Sequence, residues 1–505
     1  MSDRPTVEFT LDGVAVRGDA DASLLQVLRS AGATSAKDGC SPQGQCGCCT
    51  VWVDGQPRVS CVTPASRVAG RSVTTLDGLP DAGDWAQRLC DSGGSQCGFC
   101  TPGIIMRLAA IPAAQRSDAS VRQALLAHLC RCTGWQTIVE GALAEPRPVP
   151  GWGRHPEPAE HRATLEGRSA QRVSVAVAAG HGGFAADTAP PDALVAVLSA
   201  DGEWVVSDSH AAALRAAGKV QGRRTTEPLR WPLEIPEGDW VRTLQTTWVE
   251  PAYLEPDAAW CEPGGEPVGP LGNGGAFGGK TDSAAAAAAR RLAAQHGRTV
   301  LALYSREDVV RLGPKRPPLA AGIRADGTGM VRVVRTPGIA EAIRSVAPGL
   351  DVQEVDVPGP PTSASIRAAG WAEAAVLLAP DDGWVTDPNG GSARAHIGED
   401  GSVHVTVRCG AVIDEGVVRS YCIGAAHMAL GWVRSEAITV DEAGVPLDLT
   451  IRSFGVLRAT ETPTVHVRIV TDGRSVNGSD AVFAAVALAA WRAAGFAPRW
   501  PTMRT

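Results

Sequence analysis

Ten of the chain's thirteen cysteines lie within its first 132 residues, and no fold can accommodate them without settling what they bind. Nine of them form two groups. The first is Cys40, Cys46, Cys49 and Cys61, with Cys48 inside it; the second is Cys97, Cys100, Cys130 and Cys132. Four thiolates are what a [2Fe–2S] cluster requires, and the plant-type pattern is a short loop with three ligands and a distant fourth. On donor chemistry alone, a pair of all-thiolate zinc sites is the alternative, and buried free thiols are a third reading. The spacing is that of metal ligation and not of a secreted disulfide lattice, which points to a reducing cytoplasm. Cys90, Cys261, Cys409 and Cys422 read as ordinary core residues.

A chain of 505 residues exceeds one ordinary core and is expected to divide into several domains. Its net charge of −7 and scattered arginines argue against a nucleic-acid partner. The longest apolar stretches, Ser283–Ala289 and Ala481–Trp491, fall far short of the roughly 20 residues a membrane span needs. The N-terminus has no charged-then-apolar leader.

Local patterning predicts a small sheet with one helix over residues 5–75. Val7–Leu11 and Val14–Val16 flank Asp12-Gly13, and Thr50–Val53 and Arg58–Cys61 flank Asp54-Gly55, both hairpin signals. Asp21 or Ser23 can cap a helix over Leu24–Ala31. The second hairpin puts Cys49 and Cys61 at its open end. Residues 80–145 turn to helical periodicity: Trp85–Ser92, Pro102–Ile111, Ser120–Leu129 and Gly134–Leu143, with Pro102 in a first turn and Ser120 as an N-cap. A four-helix bundle holding the second cluster at one end follows, each cysteine pair near a helix start. The proline-rich stretch 146–168 reads as a linker. Beyond it, β-like runs (Val173–Val177, Leu194–Leu198, Trp204–Val206) alternate with alanine-rich helices (His210–Ala217, Ser283–His296, Val482–Ala494), an α+β region of more than one lobe.

The segment Lys37-Asp-Gly-Cys-Ser-Pro-Gln-Gly-Gln-Cys-Gly-Cys-Cys-Thr-Val resembles the ferredoxin loop of the molybdenum hydroxylases, the family of xanthine dehydrogenase, aldehyde oxidoreductase and aerobic carbon monoxide dehydrogenase. Gln96-Cys-Gly-Phe-Cys-Thr-Pro-Gly and Cys130-Arg-Cys-Thr-Gly-Trp resemble the family's second, helical cluster motif. Gly39, Gly44 and Gly47 permit the backbone angles a cluster-wrapping loop needs. The loop departs in two places: five residues separate Cys40 from Cys46 where the family has four, and Cys48 stands where alanine is usual. The resemblance implies a β-grasp ferredoxin-like domain (1–78), a helical [2Fe–2S] domain (79–145), the linker (146–168), and a shortened molybdenum-binding-subunit-like region (169–505).

That last region is similar to the family in Tyr253-Leu-Glu-Pro-Asp, in the glycine-rich Gly274-Gly-Ala-Phe-Gly-Gly-Lys280 with Tyr304-Ser-Arg-Glu307 after it, and from Cys409 through Gly444. Three parts are missing. Only 18 residues separate Pro256 from Gly275, too few for the stretch carrying a metal-facing glutamine. Residues 310–400 are too few for the middle portion with its pterin-contacting Gly-Gln-Gly. Ser479, in Val476-Asn-Gly-Ser-Asp480, occupies the place of the catalytic glutamate. A serine cannot take up the proton that this chemistry releases near neutral pH without a base of its own. The expectation is therefore an electron-transfer subunit with two [2Fe–2S] clusters and no catalytic residue. Molybdopterin is not expected in this chain; its molybdenum and flavin belong to a catalytic molybdenum-binding chain and an FAD-binding chain. The resemblance implies that Gln96 and Cys132 contact the partner's cofactor. Two readings compete: a self-contained or trans-completed molybdopterin hydroxylase of a small aldehyde or heterocycle, and a non-enzymatic redox-sensing or assembly protein.

Overall fold

Asp-Gly pairs set the first hairpins. In the computed structural model, which describes residues 5–144, 171–218, 222–412 and 414–504, Asp12 and Gly13 have φ of 49° and 87°, and Asp54 and Gly55 have 49° and 74°. Two successive positive φ values make the tight turn whose twist matches that of paired strands. The resulting five-stranded sheet runs Val14–Asp19, Thr6–Leu11, Ser72–Thr74, Thr50–Val53, Gln56–Val59. Thr50 pairs with Val59, so Cys49 and Cys61 leave the same end of one hairpin. The helix Leu24–Ser30 closes the inner face with Leu24, Leu25, Val27 and Leu28; Ser23 and Gln26 cap it reciprocally.

Four helices follow: Ala82–Ser92, Thr101–Ala109, Asp118–Ala124 and Gln136–Leu143. Cys100 is the N-cap residue of the second, with Pro102 in its first turn. The third differs from expectation. Its cap is Ser117, which accepts the Ser120 N–H at 3.2 Å while Ser120 Oγ returns to the Ser117 N–H at 2.8 Å. It ends at Ala124 and tightens into the 3-10 turn Leu125–Ala127, which redirects the chain to present Cys130.

The predicted linker, 146–168, lies outside the described residues. Val173–Val177, expected as a strand, is instead part of a helical turn, Val175–Ala178, because Ser174 caps it by accepting the Val177 N–H. So short an apolar run carries no decisive period. Three four-stranded sheets complete the α+β lobes, and Leu194–Leu198, Trp204–Ser207, His210–Ala217, Ala285–His296 and Ser479–Ala493 form close to expectation. The long helix Glu415–Arg434 packs against Ser479–Ala493, both rich in small residues. No described helix is long and apolar enough to cross a membrane.

The N-terminal region does not have a core to itself. Its buried side chains, such as Leu28, Trp85, Ile105 and Trp135, belong to one continuous apolar cluster with Phe184, Trp248, Leu254, Ile438 and Phe454 of the lobes behind it. Lys37 reinforces the joint: its ammonium reaches the Asp187 carboxylate and the Gly180 carbonyl from a buried position.

Candidate metal centres

In the first set, Cys40, Cys46 and Cys49 are each 1% exposed and Cys61 is 4% exposed. The Cys40 thiol makes hydrogen-bonding contact with Cys46 and Cys61, and Cys61 continues the chain of contacts to Cys49. Backbone N–H groups also point at sulfur: Gln43 and Gln45 toward Cys40 at 3.1 and 3.5 Å, and Cys61 toward Cys49 at 3.4 Å. Hydrogen bonds from Cys46 and then Cys61 hold the Cys40 thiol well below its ordinary pKa, although burial opposes them. The same contacts push the Cys46 and Cys61 thiols up.

The loop glycines serve two different purposes. Gly44 and Gly47 have φ of 69° and 71°, and Gly47 also lies so close to His128 that a Cβ would stand 2.4 Å from its ring. Gly39 has no positive φ; it is there for space, since a Cβ would lie 3.0 and 3.1 Å from the Cys48 and Cys46 sulfurs. The lengthened loop is clasped from behind. Gln43 donates to the Leu449 carbonyl at 2.8 Å and accepts from the Ile451 N–H at 3.2 Å, while Arg452 donates to the Gln45 carbonyl at 2.9 Å.

In the second set, the Cys97 and Cys132 sulfurs are 3.6 Å apart, and Cys100 contacts Cys130. Thr133 Oγ1 lies 3.1 Å from the Cys130 sulfur. The hydrogen bond from Cys100 draws the Cys130 thiol down to about 7 against the effect of burial. Two groups of four buried thiols, with N–H and hydroxyl donors aimed at sulfur, supply the donor number that a pair of [2Fe–2S] clusters requires. The sets adjoin: the Leu129 N–H donates to the Cys46 carbonyl at 3.0 Å, one residue before Cys130.

The C-terminal lobes close over the second set. A Cβ on Gly275 would stand 2.9 Å from the Cys97 sulfur, and Asn273 Nδ2 donates to the Cys97 carbonyl at 3.1 Å. Gln96 donates to the Cys132 carbonyl at 3.0 Å and to Ser420 Oγ at 2.8 Å, and a Cβ on Gly424 would lie only 1.8 Å from the Cys132 carbonyl oxygen. Gln96 and Cys132 are thus buried beneath this chain's own helix Glu415–Arg434.

Behind the cover, buried ion pairs fill the space between the glycine-rich loop and Ser479. Arg131 forks onto Glu436 with both bonds at 2.6 Å and donates from Nε to the Pro251 carbonyl at 2.9 Å. Arg316 grips Glu373 at 2.6 and 2.8 Å, Lys315 meets Glu250 at 2.9 Å, and Lys280 meets Glu255 at 2.7 Å. Arg367 donates to Asp480 at 2.7 Å and to the Ser479 hydroxyl. Cavities adjoin Arg131, one beside Cys97, Cys132 and Gly275 and another beside Glu250, Arg316 and Arg367. Sequence reasoning did not find the arginines, because each partner carboxylate lies far off in the chain, 305 positions for Arg131 and Glu436.

Residues 4–77 match the 2Fe-2S iron-sulfur cluster binding domain family, and residues 75–143 match the [2Fe-2S] binding domain family. The xanthine dehydrogenase iron-sulfur-binding subunit of Escherichia coli O157:H7 is 39% identical over 151 residues, covering 28% of this chain and 94% of that protein. The nicotinate dehydrogenase small FeS subunit of Eubacterium barkeri is 35% identical over 141 residues, covering 26% of this chain and 89% of that protein. Both speak for the iron–sulfur region alone. The aldehyde oxidoreductase of Desulfovibrio gigas superposes with a TM-score of 0.68, covering 96% of this chain and 97% of that one; at 15% identity this is a likeness of fold.

Proposed function

The chain belongs to the molybdenum hydroxylase family, and on that premise we propose that it is the iron–sulfur electron-transfer subunit of a multi-chain enzyme. Cys40, Cys46, Cys49 and Cys61 hold one cluster and Cys97, Cys100, Cys130 and Cys132 the other. Bound there, each cluster takes up and returns one electron. The chain's own residues shield both sets from water and join them through the Leu129–Cys46 hydrogen bond. The C-terminal half is a cofactor-free scaffold. The observation that carries this reading is the space occupied by Arg131 and Glu436, together with Ser479 bound to Arg367 where a catalytic carboxylate would be needed.

Electrons enter from a partner's molybdenum centre and leave toward an FAD-binding chain, in a cytoplasmic hetero-oligomer. Gln96 and Cys132 mark where a partner's cofactor comes nearest, across Ser420 and Gly424. The isolated holo chain should contain about four iron atoms, as two [2Fe–2S] clusters require, and no molybdenum. Cys40→Ser should abolish one of two reduced-cluster EPR signals and Cys130→Ser the other. Stoichiometric molybdenum in the isolated chain would favour in-chain hydroxylation instead, and loss of both signals by either substitution would count against independent sites.

A further inference from the structure

We propose that Arg306 is a positioning residue for electron transfer: its buried guanidinium ties the loop of the first cysteine set to the cavity wall of the second, and its permanent charge raises the first cluster's potential. The inference rests on the two-cluster reading above. Arg306 belongs to the Tyr304-Ser-Arg-Glu307 segment and opens the helix Arg306–Leu312, which Ser305 caps by accepting the Asp308 N–H at 3.3 Å. It is fully buried. Nη2 donates to the Gly39 carbonyl at 2.5 Å and to the Leu254 carbonyl at 2.8 Å, and Nη1 donates to the Tyr253 carbonyl at 2.9 Å. Gly39 immediately precedes Cys40, and a Cβ on it would lie 3.1 Å from the Cys46 sulfur. Tyr253 and Leu254 line the cavity beside Cys97, Cys100 and Cys132. One side chain, 267 positions from Gly39, thus reaches both sets.

Among the described residues, the other buried arginines each face a carboxylate: Arg131 has Glu436, Arg316 has Glu373 and Arg367 has Asp480. Arg306 instead bonds to carbonyl oxygens, and its Nε–H meets no acceptor among the described residues. Glu250 and Glu255 are committed to Lys315 and Lys280, and Asp257 and Asp308 accept from the Tyr253 and Ser305 hydroxyls. A guanidinium keeps its proton inside a protein, and burying its charge without an ion pair is costly. An all-thiolate [2Fe–2S] cluster is negative and becomes more so on reduction. A fixed positive charge held against its loop therefore stabilises the reduced form more than the oxidised one. Coulomb terms add, so removing that charge lowers the potential whatever the neighbouring charges are.

The test is an EPR-monitored redox titration of the full holo chain as wild type, Arg306→Lys, Arg306→Gln and Arg306→Met, following the signal that Cys40→Ser is expected to abolish. The two neutral variants should keep the wild-type iron content. Their first-cluster reduction equilibrium should move three- to tenfold toward the oxidised form, a midpoint lower by about 30–60 mV for one electron. Arg306→Lys keeps the charge without the fork, and its equilibrium should stay within about twofold of wild type. Unmoved midpoints in the neutral variants would overturn the proposal, as would an equal fall, or loss of the signal, in the lysine variant. Loss of the first signal in both neutral variants would leave Arg306 a purely structural residue and overturn it too. Should the wild-type chain itself lack two [2Fe–2S] signals, the two-cluster reading fails instead.

Discussion

Removing the Glu436 carboxylate should destabilise the whole chain and not merely its second cluster motif. Arg131 and Glu436 have side chains only 4% and 2% exposed, and without Glu436 the guanidinium keeps a single bond, to the Pro251 carbonyl. Stripping one partner from a buried pair costs about 3–5 kcal/mol, because the charge left behind is neither solvated nor neutralised. Unfolding entropy runs near 2.1 cal/mol/K per residue, so a chain of 505 residues melting as one unit has about 1 kcal/mol/K and should lose about 3–5 °C in Tm. Were the first 144 residues to melt alone, with about 0.3 kcal/mol/K, the same loss would lower their Tm by about 10–17 °C. The apolar core shared across the joint favours the smaller figure and a single transition. Anaerobic calorimetry of the holo chain reads this directly for Glu436→Ala and for the paired change Arg131→Met with Glu436→Leu. The apolar pair should restore most of the loss, since a well-packed hydrophobic replacement is often neutral or better. A drop under about 1 °C for Glu436→Ala, or a double variant no better than the single one, would refute the reasoning.

Two further outcomes follow from the same lobe. Burial, with Asp480 nearby, raises the Asp387 carboxyl to about 7 from 3.8, so the native state keeps a proton that the unfolded chain releases, and stability declines as pH rises through that window. Asp387→Asn keeps an acceptor for the Asn389 and Gly391 N–H groups, and its Tm advantage over wild type should be larger at pH 8 than at pH 5; an equal difference at both would contradict it. Ser479→Ala removes a hydroxyl already bound to Arg367 and should leave turnover of the assembled complex within tenfold of wild type. A greater fall, above about 1.4 kcal/mol of barrier, would show that Ser479 takes part in the chemistry.

What the sequence determined by itself is local. Asp12-Gly13 and Asp54-Gly55 specify their turns because two positive φ values in succession suit few other residue pairs, and the second of these turns brings Cys49 back to Cys61. Cys40 to Cys49, Cys97 to Cys100 and Cys130 to Cys132 are short spans, so the grouping of thiols could be read before any packing was known. Where a local signal was weak it misled: Val173–Val177 has strand-like residues, but the Ser174 cap and its neighbours made a helical turn. The role of Gly39 was also hidden, since what it makes room for is a pair of sulfurs and not an unusual backbone angle. Only the tertiary structure decided what lies over the second set and what fills the lobe behind it. Gln96 meets Ser420 across 324 positions and Arg131 meets Glu436 across 305. Such pairs leave no periodicity or spacing in the chain, because a charge finds its buried partner only after the intervening segments have packed.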